Sequence, residues 1–249
     1  MNQSPGYPTY KTLLTALVLT LLCGCSAVNR YLVSEATMDS GKFRITDAGK
    51  LEIGQTIIIV KPTNALNTYS GQEILMIPFD SQEYEPKDYT YSFTYYDGYD
   101  FGRKGTPEFF ILELLVVTAN EEVTLHPNEI ALILDGQEIF PTSYYNLERR
   151  YQGFLSLDFG NSLTPLCKAP GTKTWSPANP LTLAEEVTPE KSINLEKIHS
   201  YCFAIKFKMP PPDPRTSFSI KFNGIKIHGD DIHLPDIRYT PSKLTWRNA

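Results

Sequence analysis

Side chains able to do chemistry gather in few places in this sequence. His228-Gly229-Asp230-Asp231-Ile232-His233 sets two imidazoles and two carboxylates in one short segment, a donor set that suits a divalent cation if a turn folds them together. The same segment reads as an exposed turn between strands, so no metal is expected, and His228, Asp230, Asp231 and His233 are the residues that could hold one. Tyr89, Tyr91, Phe93 and Tyr95 alternate with Thr90, Ser92 and Thr94, the period of a strand with one buried face. Tyr96, Tyr99 and Phe101 follow around Asp97-Gly98 and could instead form an aromatic ledge for a glycan or a protein partner, since tyrosine offers flat area at low entropic cost.

The motifs of common catalytic classes are missing. There is no P-loop, Gly-rich dinucleotide turn, nucleophile elbow, HExxH helix or EF-hand loop, and Gly171-Thr172-Lys173-Thr174 lacks the glycine spacing of a phosphate loop. Glu121-Glu122 and Glu185-Glu186 make no catalytic dyad by adjacency, because consecutive strand residues face opposite ways, and they read as solvated loop charges. No cofactor is expected. With 23 Lys and Arg against 28 Asp and Glu, the balance argues against a nucleic-acid surface.

The N-terminal segment carries an address. Lys11 is the one charged side chain ahead of an uncharged, Leu-rich run over residues 12–22, the layout of a secretory signal peptide. A spanning helix needs roughly 20 apolar residues, so this run is too short to be a permanent anchor. Directly after it, Leu22-Cys23-Gly24-Cys25 resembles the lipobox of bacterial lipoproteins, where a small residue precedes an obligatory cysteine. The resemblance implies cleavage between Gly24 and Cys25, a diacylglyceryl group on the Cys25 sulfur and acylation of the new N-terminus. Cys23 is the alternative modified residue, although it would place Leu22 where the pattern wants a small side chain. Ser26, being other than Asp, implies export to the outer membrane with the protein facing the periplasm; the outer face of the cytoplasmic membrane is the alternative. Without Lys11 the mature chain carries 22 cationic against 28 acidic side chains, a net −6.

In the oxidising compartment this implies, Cys167 and Cys202 are the remaining thiols and are expected to pair, two buried free thiols being the rival reading. Closing a loop of roughly 36 residues would stabilise the fold by about 3 to 4 kcal/mol in the chain-entropy model.

The elements that must position these residues read as strands. Of the 249 residues, 41% are hydrophobic, and 15 Tyr and 13 Phe concentrate in β-favouring runs, so most of the chain can bury a core. Residues 26–40 show no period and read as a tether. Residues 55–61 are β-branched and stop at Pro62; residues 108–117 are apolar on both parities, as in a central strand; Leu155, Leu157 and Phe159 alternate with polar residues. Asn223-Gly224 predicts a two-residue hairpin pairing Phe222 with Ile225 and Ile220 with Ile227, with Lys221 against Lys226 in solvent. Asp135-Gly136 predicts a second, with Leu132 opposite Ile139. Residues 108–141 look like part of an immunoglobulin-like sandwich of bacterial exported proteins. The resemblance implies fold alone. Residues 161–199, broken by five prolines, read as a specialised insertion, within which Thr188-Pro189-Glu190 could start a short helix.

The expected architecture is all-β, an antiparallel two-sheet immunoglobulin-like sandwich with a long Pro-rich insertion. Residues 1–24 are the signal peptide, 25–41 a lipidated tether and 42–249 the sandwich with its insertion at 161–199. The expected function is that of a membrane-tethered, non-catalytic lipoprotein that binds another envelope component, a protein partner rather than nucleic acid. The alternative is a glycan-binding or hydrolytic module using the insertion and the Tyr-rich turn.

Overall fold

The computed structural model describes residues 28–38, 43, 45, 50–67, 74–76, 84–94, 100–149, 166–171, 180–196 and 199–247. In chain order the strands are β1 (Val28–Thr37), β2 (Lys50–Ile53), β3 (Thr56–Pro62), β4 (Ala65–Asn67), β5 (Ile74–Met76), β6 (Tyr84–Thr94), β7 (Asp100–Pro107), β8 (Phe110–Thr118), β9 (Val123–Leu125) and β10 (Ile130–Leu134). There follow β11 (Gln137–Ile139), β12 (Ser143–Arg149), β13 (Cys167–Lys168), a helical turn α1 (Pro180–Leu183), β14 (Glu186–Val187), β15 (Ile193–Leu195), β16 (His199–Phe207), β17 (Phe218–Phe222), β18 (Ile225–Ile227), β19 (Asp230–Ile232) and β20 (Ile237–Arg247). The protein is an all-β sandwich.

A nine-stranded sheet runs β11-β10-β17-β20-β1-β4-β5-β6-β7 and a seven-stranded one β13-β12-β16-β8-β3-β2, with β14 on β12. A third, four-stranded sheet, β15-β9-β18-β19, goes beyond the two sheets expected and buries its inner side chains in the same core. Pairing is antiparallel except between β5 and β6. Phe110, Leu112, Leu114 and Val116 of β8 meet Phe218, Ile220, Phe222 and Tyr239 of the nine-stranded sheet, each such side chain contributing about 1.5–3 kcal/mol by leaving water. Phe218 stacks on Tyr239 at 4.9 Å, and the Tyr239 hydroxyl donates to the Val60 carbonyl at 3.0 Å, tying the sheets together. Burial pushes that phenol up, so it stays protonated.

The other face of the seven-stranded sheet is also covered. Ile111 and Leu115 alternate outward from β8 into a second cluster with Ile59, Tyr145, Leu147, Cys202 and Ala204, capped by Leu166, Cys167 and Leu181. That explains why residues 108–117 read as apolar on both parities: β8 lies between β3 and β16 with a core on each side.

Several sequence expectations are corrected. Residues 28–37 of the expected tether form β1, paired along its whole length with β20 from Val28↔Arg247 to Thr37↔Arg238. The described parts of the expected insertion 161–199 are woven into the fold: β13 and β14 extend the seven-stranded sheet, β15 pairs β9, and Leu166, Cys167 and Leu181 form the outer cover. Thr188-Pro189-Glu190 is a turn closed by the Lys191 N–H on the Thr188 carbonyl at 3.3 Å, and the short helix lies at α1 instead. Asp135-Gly136 forms its hairpin with Leu132↔Ile139 in register, both turn residues at positive φ (51° and 77°). Asn223-Gly224 does not. There the chain leaves β17, which pairs β10 and β20, and enters β18 in a different sheet. Gly224, at φ 77°, is packed so closely that a Cβ would stand 2.7 Å from the His126 carbonyl oxygen, and its own carbonyl accepts the His126 N–H at 2.7 Å. Ile220, Phe222, Ile225 and Ile227 are all buried as foreseen, while Lys221 pairs with Glu138 and Lys226 with Asp231, which removes the Lys-Lys opposition.

Candidate functional site

The sheet's covered outer face brings together the two cysteines. Cys202 on β16 and Cys167 on β13 form a disulfide with a Cα–Cα distance of 5.6 Å, both residues buried, so the reading of two free thiols is set aside. The bridge pins the covering segment to the sheet.

Beside it lies Glu113, the one acidic residue in the β8 run and fully buried. Alternation turns it outward between Ile111 and Leu115. Its carboxylate accepts the Leu166 N–H at 3.1 Å on each oxygen and the Cys167 N–H at 3.3 Å. Lys61, also buried at 8% exposure, stands directly opposite on β3, at the cross-strand spacing that lets opposite charges meet. A buried carboxylate is tolerated when donors and an opposing charge surround it. Here those donors belong to the covering segment, so Glu113 acts as a latch.

A second polar group sits where β14 pairs with β12. The Ser143 hydroxyl donates to Glu186 Oε1 at 2.5 Å, and Lys206 Nζ donates to the same oxygen at 3.2 Å. Lys206 also lies 4.6 Å from the centre of the Phe109 ring and 6.0 Å from that of Tyr145. The Ser143 bond, then Lys206 and Tyr145, hold the Glu186 carboxyl below the usual glutamate value against its partial burial. Tyr145 is pushed up by burial first and then by its bond to Glu186. With the serine proton and the ammonium both directed at one carboxylate, the group fastens β14 to β12, and the lowered pKa makes that carboxylate a weaker base than an ordinary glutamate.

The sequence-predicted residues are distributed as follows. His228 and Gly229 form the β18–β19 turn at positive φ (54° and 86°), and Lys226↔Asp231 and Ile227↔Asp230 put the two aspartates on opposite faces of that hairpin. Asp231 pairs with Lys226 at 3.0 Å, and among the described residues no group of three or more His, Cys, Asp or Glu could hold a metal ion. His228 and His233 are exposed. Phe101 is on β7 opposite Phe93 of β6, while Tyr96 and Tyr99 lie outside the described residues, as do Cys25, the signal segment and the run at Leu155, Leu157 and Phe159. Glu121, read as a solvated charge, instead closes the β2–β3 turn by accepting the Gln55 N–H at 3.2 Å and the Thr56 hydroxyl at 2.5 Å.

Sequence reasoning missed Glu113 and the Ser143, Glu186 and Lys206 group. For Glu113 the signal was available, a lone acid inside an apolar run. Ser143 and Glu186 are 43 residues apart and share no local pattern. No family model, no curated protein and no solved structure matches this chain.

Proposed function

We propose that the chain is a bacterial envelope lipoprotein whose mature form begins at Cys25, carries a diacylglyceryl group on that sulfur and stands on the periplasmic face of the outer membrane. The carrying observation is Leu22-Cys23-Gly24-Cys25 placed directly after the uncharged run of residues 12–22. Two or three acyl chains, at about 0.8 kcal/mol per buried methylene, hold such a protein on a bilayer essentially permanently. The Cys167–Cys202 bridge supports an oxidising compartment.

On this reading the body is a non-catalytic, immunoglobulin-like module that binds another component of the envelope. Glu113 and Glu186 favour it, since their carboxylates are engaged in fastening the cover and β14. Cells fed a labelled fatty acid should label the protein, and Cys25→Ser should abolish both the label and its recovery with membranes. An unlabelled chain, or a Cys25→Ser chain still held by membranes, would overturn the proposal. Crosslinking in intact envelopes followed by capture should return a defined protein partner.

A further inference from the structure

The two fasteners on the outer face of the seven-stranded sheet act at one point. Cys167 is joined to Cys202, which holds their Cα atoms 5.6 Å apart, and the Leu166 and Cys167 amides are those that Glu113 accepts. The segment 166–171 is otherwise attached at the rim of the sheet. β13 pairs β12 at two positions, Glu148↔Lys168 and Arg149↔Cys167. The half-exposed Glu148 carboxylate takes the Lys168 ammonium at 2.8 Å and the Gly171 N–H at 3.0 Å. Rim ion pairs of that kind contribute little, because water competes for both partners. Beneath the segment, Ile59, Ile111, Leu115, Leu147 and Ala204 belong to a cluster separate from the core between the sheets. The segment can therefore come away without dissolving the sandwich behind the sheet, as local openings of folded proteins do.

We infer that the Cys167–Cys202 bridge is a redox-operated catch on this segment: oxidised, it keeps the outer apolar face shut, and reduced, it leaves the segment opening and closing reversibly on Glu113. The inference does not depend on a lipid at Cys25. Both sulfurs are buried, so a dithiol reductant reaches them by fraying of the two-residue β13 ladder. One thiolate of the reductant attacks the Cys167 sulfur to form a mixed disulfide, while Cys202 leaves as a thiolate and takes a proton from water. The second thiolate of the reductant then attacks its own half of the mixed disulfide, releases Cys167 to be protonated in turn, and departs as a cyclic disulfide. Two electrons and two protons have passed to the protein, and no bond now limits how far Cys167 can move from Cys202. Re-forming the bridge needs Cys167 held over β16. Glu113 supplies that placement by accepting the Cys167 N–H at 3.3 Å, which makes it the positioning residue of the catch.

The test treats the oxidised full-length protein with dithiothreitol in the absence of urea, removes the reductant under argon and alkylates with iodoacetamide, following Cys167 and Cys202 in separate peptides by mass. Reduction should go to completion. Alkylation of both thiols should then proceed at a rate that hardly changes at low urea, since a local opening exposes little surface, whereas labelling through global unfolding climbs steeply with urea. Hydrogen exchange should rise at residues 166–169 and stay unchanged in β10, β17 and β20. These readings need no variant. Glu113→Gln should speed labelling of the reduced protein about tenfold or more, as two charge-assisted bonds become neutral ones, and Glu148→Gln about twofold. Three results would each overturn the catch: a bridge reduced only where urea unfolds the chain, reduced thiols that label only with the steep urea dependence, or loss of protection in β10, β17 and β20 on reduction. Equal labelling rates for the reduced native and Glu113→Gln proteins would overturn the positioning role of Glu113.

Discussion

Replacing Glu113 by Gln tests the latch without changing its shape. The native carboxylate, fully buried, accepts the Leu166 and Cys167 amides and faces Lys61 across β3. A hydrogen bond to a charged group is worth about 1.5–3 kcal/mol against about 0.5–1.5 for a neutral one, so two amides lose roughly 2 kcal/mol between them. Lys61 loses the charge opposite it, and breaking a buried pair typically costs about 3–5 kcal/mol in all, a range that already includes part of the amide loss. We therefore expect about 3–5 kcal/mol of destabilisation. With a slope of about 2–3 kcal/mol per molar urea for a chain of this size, the midpoint should fall by about 1–2.5 M. Lys61→Met/Glu113→Gln should cost less than the sum of the single changes, because each removes the reason for the other's cost. Hydrogen exchange at residues 166–169 should rise in Glu113→Gln before the core opens. A midpoint unchanged from the native protein, or additive single and double variants, would refute the account of Glu113 as a paired latch.

Removing the bridge with Cys167→Ala/Cys202→Ala, at a sequence separation of 35, should lower stability by about 4 kcal/mol in the chain-entropy model, read as a urea midpoint that no longer responds to reductant. Gly224→Ala should destabilise far more than Gly136→Ala in thermal melts: both sit at φ 77°, where a Cβ costs about 1–2 kcal/mol, but only at Gly224 would it also meet His126 and Glu129, whereas nothing lies within 4 Å at Gly136. Glu186 has its pKa lowered chiefly by Ser143, so its contribution to stability is present above the ordinary glutamate value and is lost as pH falls through its folded value. Ser143→Ala should raise the Glu186 titration midpoint toward the ordinary value in a carboxyl-carbon NMR titration, and an unmoved midpoint would remove Ser143 as the cause.

How much of this was legible depends on how local the determining contacts are. Asp135-Gly136 and Asn223-Gly224 carry the same two-residue signal, yet only the first makes a hairpin. At the second, close packing of Gly224 against His126 carries the strand into another sheet, and the warning in the sequence was the Lys221 and Lys226 clash that a hairpin would have created. β8 was legible from its own composition. β1 was not, because its partner β20 comes from the far end of the chain and residues 28–37 show no clear alternation of their own. The cover over the seven-stranded sheet was hidden for the same reason: its prolines read as a loop, while its function is set by Glu113 and Cys202, reached only in three dimensions. The proposed address at Cys25 rests instead on a few adjacent residues, Leu22-Cys23-Gly24-Cys25, which lie outside the described structure.

The central claim is best tested at the first residue of the mature chain. Mass spectrometry of the N-terminal peptide from membrane-extracted protein should find it beginning at Cys25 with a diacylglyceryl group on sulfur and an acyl group on nitrogen. A mature chain that retains residues 1–24, or one whose Cys25 carries no lipid, would contradict the account.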